Sequence, residues 1–147
     1  MKFNFNQTNV DFSGLNIWEL LVAPLATFVI GFLWYGKPLF GKIWQNLVDL
    51  SDDEIQKSNM ALIFGLSYVL YFIVALFLSI FIEIAMMLGS SALLGGIFAS
   101  LICIAFVGTT FGINYLFARK TLKLYLIDIG YQVVSFFVMG LIIGAWY

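Results

Sequence analysis

Four apolar runs divide this chain, each long enough to cross a lipid bilayer as a helix. They cover about residues 17–35, 59–88, 92–117 and 122–146. A helix needs about 20 predominantly apolar residues to traverse the hydrocarbon core. An open sheet is excluded there, because its edges would leave backbone polar groups without partners, whereas a helix satisfies its own. Periodicity does not separate a helix from a buried strand in such runs, but length does. The expected fold is therefore all-α: one polytopic membrane domain with four transmembrane helices in two hairpins. Composition agrees. Residues are 63% hydrophobic and only 10% charged, against about 25% charged in soluble domains.

The breaks between runs have local causes. Gly36 and Pro38 end the first run, Gly89-Ser90-Ser91 separates the second from the third, and Ala118 to Thr121 separates the third from the fourth. Pro24 either kinks the first helix or marks a later start. The N-terminal stretch MKFNFNQTNVDFSG has no basic cluster ahead of a short apolar core, so it does not read as a signal peptide, and the first run should remain in place. Basic residues then set the threading. Lys37, Lys42 and Lys57 lie in segment 36–58, Arg119, Lys120 and Lys123 lie in segment 118–123, and only Lys2 falls on the other side. Both basic loops are expected in the cytoplasm, with both termini outside.

The first basic loop has structure of its own. Phe40, Ile43, Trp44 and Leu47 recur at helical spacing, which predicts a short interfacial helix over about 38–48. Trp34, Tyr35 and Trp44 are expected as anchors at headgroup level. Ser51 followed by Glu54 forms a capping-box pattern. It should start a helix that runs on into the second span, with Asp52, Asp53 and Glu54 favoured by the helix N-terminus.

The last two runs form a tight hairpin. A turn near Thr121 sets Asn114 against Asp128, Gly112 against Gly130, Thr110 against Gln132 and Val107 against Ser135. Asp128, Gln132, Ser135 and Met139 share one helix face with Tyr131 beside them, and Thr110 and Asn114 share another. Two facing polar stripes would satisfy side chains that lipid cannot. Gly108 with Gly112, and Gly140 with Gly144, are GxxxG pairs that permit close helix approach. One pair could serve the hairpin and the other a homo-oligomer. Asp128 stands six residues past Leu122, roughly 9 Å along a helix, near the basic face. It is expected either to pair with a loop Lys or Arg or to be clamped to Asn114. An intramembrane acid also raises the alternative of an oligomeric channel or transporter for an ion or small solute. At the other end, Glu19 and Glu83 could attract cations at an outer vestibule, but they are expected to be solvated at helix ends.

Several classes are disfavoured. Histidine is absent and Cys103 is the single cysteine, so no metal-ligand cluster and no nucleophile with a base is visible. No cofactor and no enzymatic activity are expected. A net charge of −1 implies no nucleic-acid partner. The lipid bilayer and further copies of the chain are the expected partners.

The stretches WYGKPLFGKIW (34–44), SDDEI (51–55), NYLF (114–117) and LKLYLIDIGYQVVSFFVMGLIIGAW (122–146) resemble the bacterial family called domain of unknown function 1761. The resemblance implies a small four-helix protein of the bacterial cytoplasmic membrane and supplies no activity or substrate. It rests on Trp34, Tyr35, Gly36, Phe40, Gly41, Trp44, Asn114, Asp128, Gly130 and Tyr131. Family members often carry histidine where this chain has Gln132, a departure that weakens any proton-relay role here. The expected role is structural or accessory.

Overall fold

The computed structural model describes residues 16–86, 89 and 91–147. Lys2 and the polar N-terminal stretch, like the expected end of the second run at Leu88, lie outside the described residues. Helix α1 (Ile17–Trp34) begins at Asn16, whose side chain accepts from the Trp18 amide at 3.0 Å. Pro24 sits inside α1, so it does not mark a later start. The helix buries Glu19, Leu20, Ala23, Pro24 and Thr27 on one face.

The chain then turns through 36–40, and the loop helix α2 (Gly41–Val48) starts later than position 38. Close backbone contact explains the delay. The Phe40 amide donates to the Trp34 carbonyl at 3.0 Å, and the Gly41 amide donates to the Gly36 carbonyl at 3.1 Å. A Cβ on Gly41 would collide with the carbonyls of Tyr35 and Gly36, so glycine is required for this return. Asp49, left-handed at φ 57°, ends α2.

Helix α3 (Asp52–Lys57) carries the expected capping box, with Ser51 and Glu54 bonded reciprocally. The Ser51 hydroxyl and amide hold the Glu54 carboxyl below its ordinary value. The helix does not continue into the second span as its sequence predicts. Ser58 turns extended and folds its hydroxyl back onto the Ile55 carbonyl at 2.6 Å. Asn59 then caps a new helix by accepting from the Leu62 amide at 3.1 Å. That helix is α4 (Met60–Met86).

The third run is a single rod with an internal defect. Helix α5 (Ala92–Ile102) passes into a π-helical segment, Cys103–Gly108, before α6 (Thr109–Phe117). Left-handed Arg119 closes the rod, at φ 52°, and the Lys120 amide donates to the Tyr115 carbonyl at 2.9 Å. Thr121 caps α7 (Leu122–Gly144) by accepting from Leu124 at 3.2 Å.

Helix α7 is the hub. It packs most extensively on α5, then on α1 and α4, and much less on α6. Leu20, Ala75, Leu78, Ile82, Ala99, Cys103, Phe136 and Met139 are among the core residues. The tightest approach is between α5 and α7. A Cβ on Gly140 would strike the Gly95 carbonyl and would come within 2.6 Å of the Ala99 Cβ. Gly140 therefore serves the internal hairpin, with the Gly95–Gly96 pair as its unexpected counterpart. Four rods are long and apolar enough to cross a membrane. Their outward faces expose large apolar side chains such as Leu66, Leu70, Phe77 and Phe106.

Candidate functional site

Asp128 is only 8% exposed, and three side chains from three different segments converge on it. Tyr35, the residue after α1, donates its hydroxyl to Oδ1 at 2.8 Å. Trp44 of α2 donates its indole Nε1–H to the same oxygen at 2.9 Å. Tyr115 of α6 donates to Oδ2 at 2.7 Å. A carboxylate accepts only, with about four lone-pair sites, so three donors nearly saturate it. Hydrogen bonds to such a group are shorter and stronger than neutral ones. One residue earlier, the Ile127 carbonyl accepts the Trp34 indole N–H at 3.0 Å. The clasp thus ties α1, α2 and α6 to the first two turns of α7.

The aromatic rings pack on one another around this point. Tyr35 lies edge-to-face on Trp44, with centroids 5.2 Å apart, and on Tyr131, at 5.1 Å. Trp34 leans on Phe40 at 4.9 Å. Gly130 lets the Trp34 ring approach, because a Cβ there would come within 2.9 Å of it. The residues that carry the family resemblance therefore form one assembly. Gly36 and Gly41 make the loop's return, Phe40 and Trp34 stack, and Tyr35, Trp44 and Tyr131 surround Asp128. Asn114 stands apart.

Neither expected partner for Asp128 is the one it has. Its bonds go to no Lys or Arg among the described residues, and Asn114 is exposed, as is Thr110. The π segment explains the shift. Gly96, Ala99 and Cys103 face the core. In an unbroken α-helix that stripe would continue through 106–107 to 110 and 114. A π turn closes i to i+5 and adds one residue, rotating the remainder of the rod by about 100°. The facing positions become Gly108, against Ile129, then Gly112, against the Tyr125 ring, then Tyr115. The two stripes do not meet, and Tyr115 takes the place assigned to Asn114.

The other candidate residues of α7 point inward to separate partners. The Tyr131 hydroxyl donates to the Thr27 carbonyl at 3.2 Å. Gln132 accepts from Tyr71 of α4 through Oε1, at 3.2 Å. Ser135 is fully buried, and its Oγ has no hydrogen-bond partner among the described residues. Gly144 is buried on the same helix. Trp34, Tyr35 and Trp44, expected as anchors at headgroup level, are half-buried and give their polar hydrogens to α7.

The opposite end corrects a further expectation. Glu83 is half-buried, and Glu19 is 0% exposed rather than solvated. The start of α1 packs against α4, where the Ser79 hydroxyl donates to Glu19 Oε1 at 2.6 Å.

These features define a class of protein: a bundle built on four helices able to cross a membrane, all-helical among the described residues, with one end closed by an aromatic clasp on a buried aspartate. A family model described as Protein of unknown function (DUF1761) matches residues 18–144. The chain belongs to that family. Comparisons with curated proteins and with solved structures give no match.

Proposed function

We propose that this is a non-catalytic structural or accessory protein of the bacterial cytoplasmic membrane, whose bundle holds the basic loop 36–58 in one orientation at the cytoplasmic face. In this reading both termini lie outside, lipid covers the exposed apolar faces, and copies associate as a homo-oligomer. The observation that carries it is the saturation of Asp128 by Tyr35, Trp44 and Tyr115. A carboxylate so engaged acts as a fastener, and its donors come from the loop and the helices flanking it. The test is to reconstitute wild type and Asp128→Asn in liposomes and to record ion and proton flux beside thermal stability. The structural reading expects no flux from either protein and a loss of stability in the variant. Wild-type flux that Asn abolishes, in a folded protein, would sink it.

A second reading has one observation in its favour. Ser135 Oγ is buried without a hydrogen-bond partner among the described residues, one helical turn beyond Gln132. A small oligomeric channel or transporter would use such a group along α7, and the same flux assay with Ser135→Ala addresses it.

A further inference from the structure

The end of the bundle away from the basic loops buries an acid for which the clasp has no use. Glu19 is fully buried. Its Oε1 accepts from Ser79, and its Oε2 makes no hydrogen bond among the described residues. The Asn16 backbone N–H lies beside the carboxylate without completing a bond to Oε2. Burying a carboxylate with an unpaired oxygen is costly unless something neutralises it. The described Lys and Arg residues (Lys37, Lys42, Lys57, Arg119, Lys120 and Lys123) all sit in segments 36–58 and 118–123, at the opposite end.

The neighbours of Glu19 are oxygen donors. Ser79 Oγ gives its proton to Glu19, so the Tyr147 hydroxyl, 3.3 Å away, donates to it and one Ser79 lone pair stays free. Glu83 stands four residues beyond Ser79 on α4, on the same face. Burial, together with the carboxylates of Glu19 and Glu83, raises the Tyr147 phenol above its ordinary value despite the Ser79 bond. The local potential is therefore negative, and among the described residues no side-chain cation lies at this end to balance it.

We propose that Glu19, Ser79 and Tyr147 form a binding site for one alkali-metal cation, with Glu83 supplying attraction at its edge. Oxygen donors suit a hard cation. The charge count favours a monovalent one, because a single fully buried carboxylate is neutralised by one unit charge. A divalent or transition ion is disfavoured, since no group of three or more His, Cys, Asp or Glu side chains occurs among the described residues. The site is separate from the Asp128 clasp and does not depend on its role.

The test uses the full chain in detergent, with sodium or potassium exchanged against choline at fixed pH and ionic strength. Wild type is expected to bind one labelled sodium or potassium ion per chain by equilibrium dialysis. Its thermal midpoint should rise by roughly 3–6 °C at ten times the dissociation constant. Glu19→Gln should bind none and show a flat midpoint. Ser79→Ala keeps the carboxylate and should weaken binding without abolishing it, so it carries the test if Glu19→Gln does not fold. Absence of binding and of any midpoint shift in wild type overturns the proposal. So does wild-type binding that survives Glu19→Gln. A wild-type midpoint that follows pH but neither cation makes a proton the occupant, and overturns it equally.

Discussion

Replacing Asp128 by leucine removes both acceptor oxygens and strands the donors of Tyr35, Trp44 and Tyr115. A buried donor left unpaired costs about 1–3 kcal/mol. All three donor residues are only half-buried, so the lower end applies, and the sum is about 3–4 kcal/mol. For a chain of this size that corresponds to a fall of about 10 °C in thermal midpoint. Asparagine should cost less, about 1 kcal/mol. It keeps one acceptor oxygen for Tyr35 and Trp44, and its amide can donate to the Tyr115 hydroxyl, which accepts as well as donates. The assay is thermal unfolding in a mild detergent, followed by tryptophan fluorescence. Tyr115→Phe adds a cycle: it should cost about 1 kcal/mol in wild type and almost nothing in the Asp128→Leu background, because the partner is already gone. An Asp128→Leu protein that melts with wild type, or an Asn variant as damaged as the Leu variant, would refute the clasp.

Other perturbations separate further parts of the fold. Gly140→Ala should destabilise by about 1–3 kcal/mol, because its methyl would meet Gly95 and Ala99 in a seam with no room. Gly65→Ala, with nothing within 4 Å of the new methyl, should be neutral or stabilising by up to about 1 kcal/mol; melting curves of the pair check both. Ser51→Ala should cost about 1 kcal/mol of helix α3, read as faster amide exchange over residues 52–57. Glu54 is held below its ordinary 4.5. Its support of α3 is therefore full above that value and is lost as pH falls through the lower folded value. The same exchange experiment below pH 4.5 should show α3 loosening in wild type, with less pH dependence in Ser51→Ala. Deleting Ala105 should convert the π segment to α-helix and, because the extra residue leaves with the π turn, α6 should keep its azimuth. Tyr115→Phe should then keep its effect on the melting temperature, and Asn114→Leu should still have little.

The parts of this fold legible in its residues are those set by neighbours in sequence. The four runs are visible because lipid demands length and self-paired backbone. The capping box at Ser51 is visible because Ser51 and Glu54 are three residues apart. The clasp residues are conspicuous in the sequence too, yet in another role. Trp and Tyr have an apolar body and one polar tip, so the same residue serves at a membrane interface or as an inward donor. Which one holds for Tyr35 and Trp44 depends on α7 lying beside them, a contact across more than eighty positions. Glu19 has the same difficulty. A helix-start acid looks solvated until Ser79, sixty residues away, packs over it.

The π segment is the harder case, because CIAFVG (103–108) contains no proline, and its one glycine, Gly108, is of a kind common in membrane-spanning helices and does not announce it. Its trace is in the spacing of small residues instead. Gly96, Ala99 and Cys103 follow an α-helical stripe, and Gly108 and Gly112 resume one after a gap of five. A hairpin register drawn with uniform α-helix misses the azimuth beyond that gap, and its depth as well: Gly112 lies against Tyr125, not Gly130, and Gly140 lies against Gly95. The consequence is chemical as well as geometric. With the inserted residue, Asp128 receives a phenol, which donates one hydrogen bond without presenting an amide that needs several. In an apolar bundle with few buried acceptors, hydroxyl and indole donors are the economical match for a lone carboxylate. The π turn is the backbone feature that brings the third donor, Tyr115, into line with it.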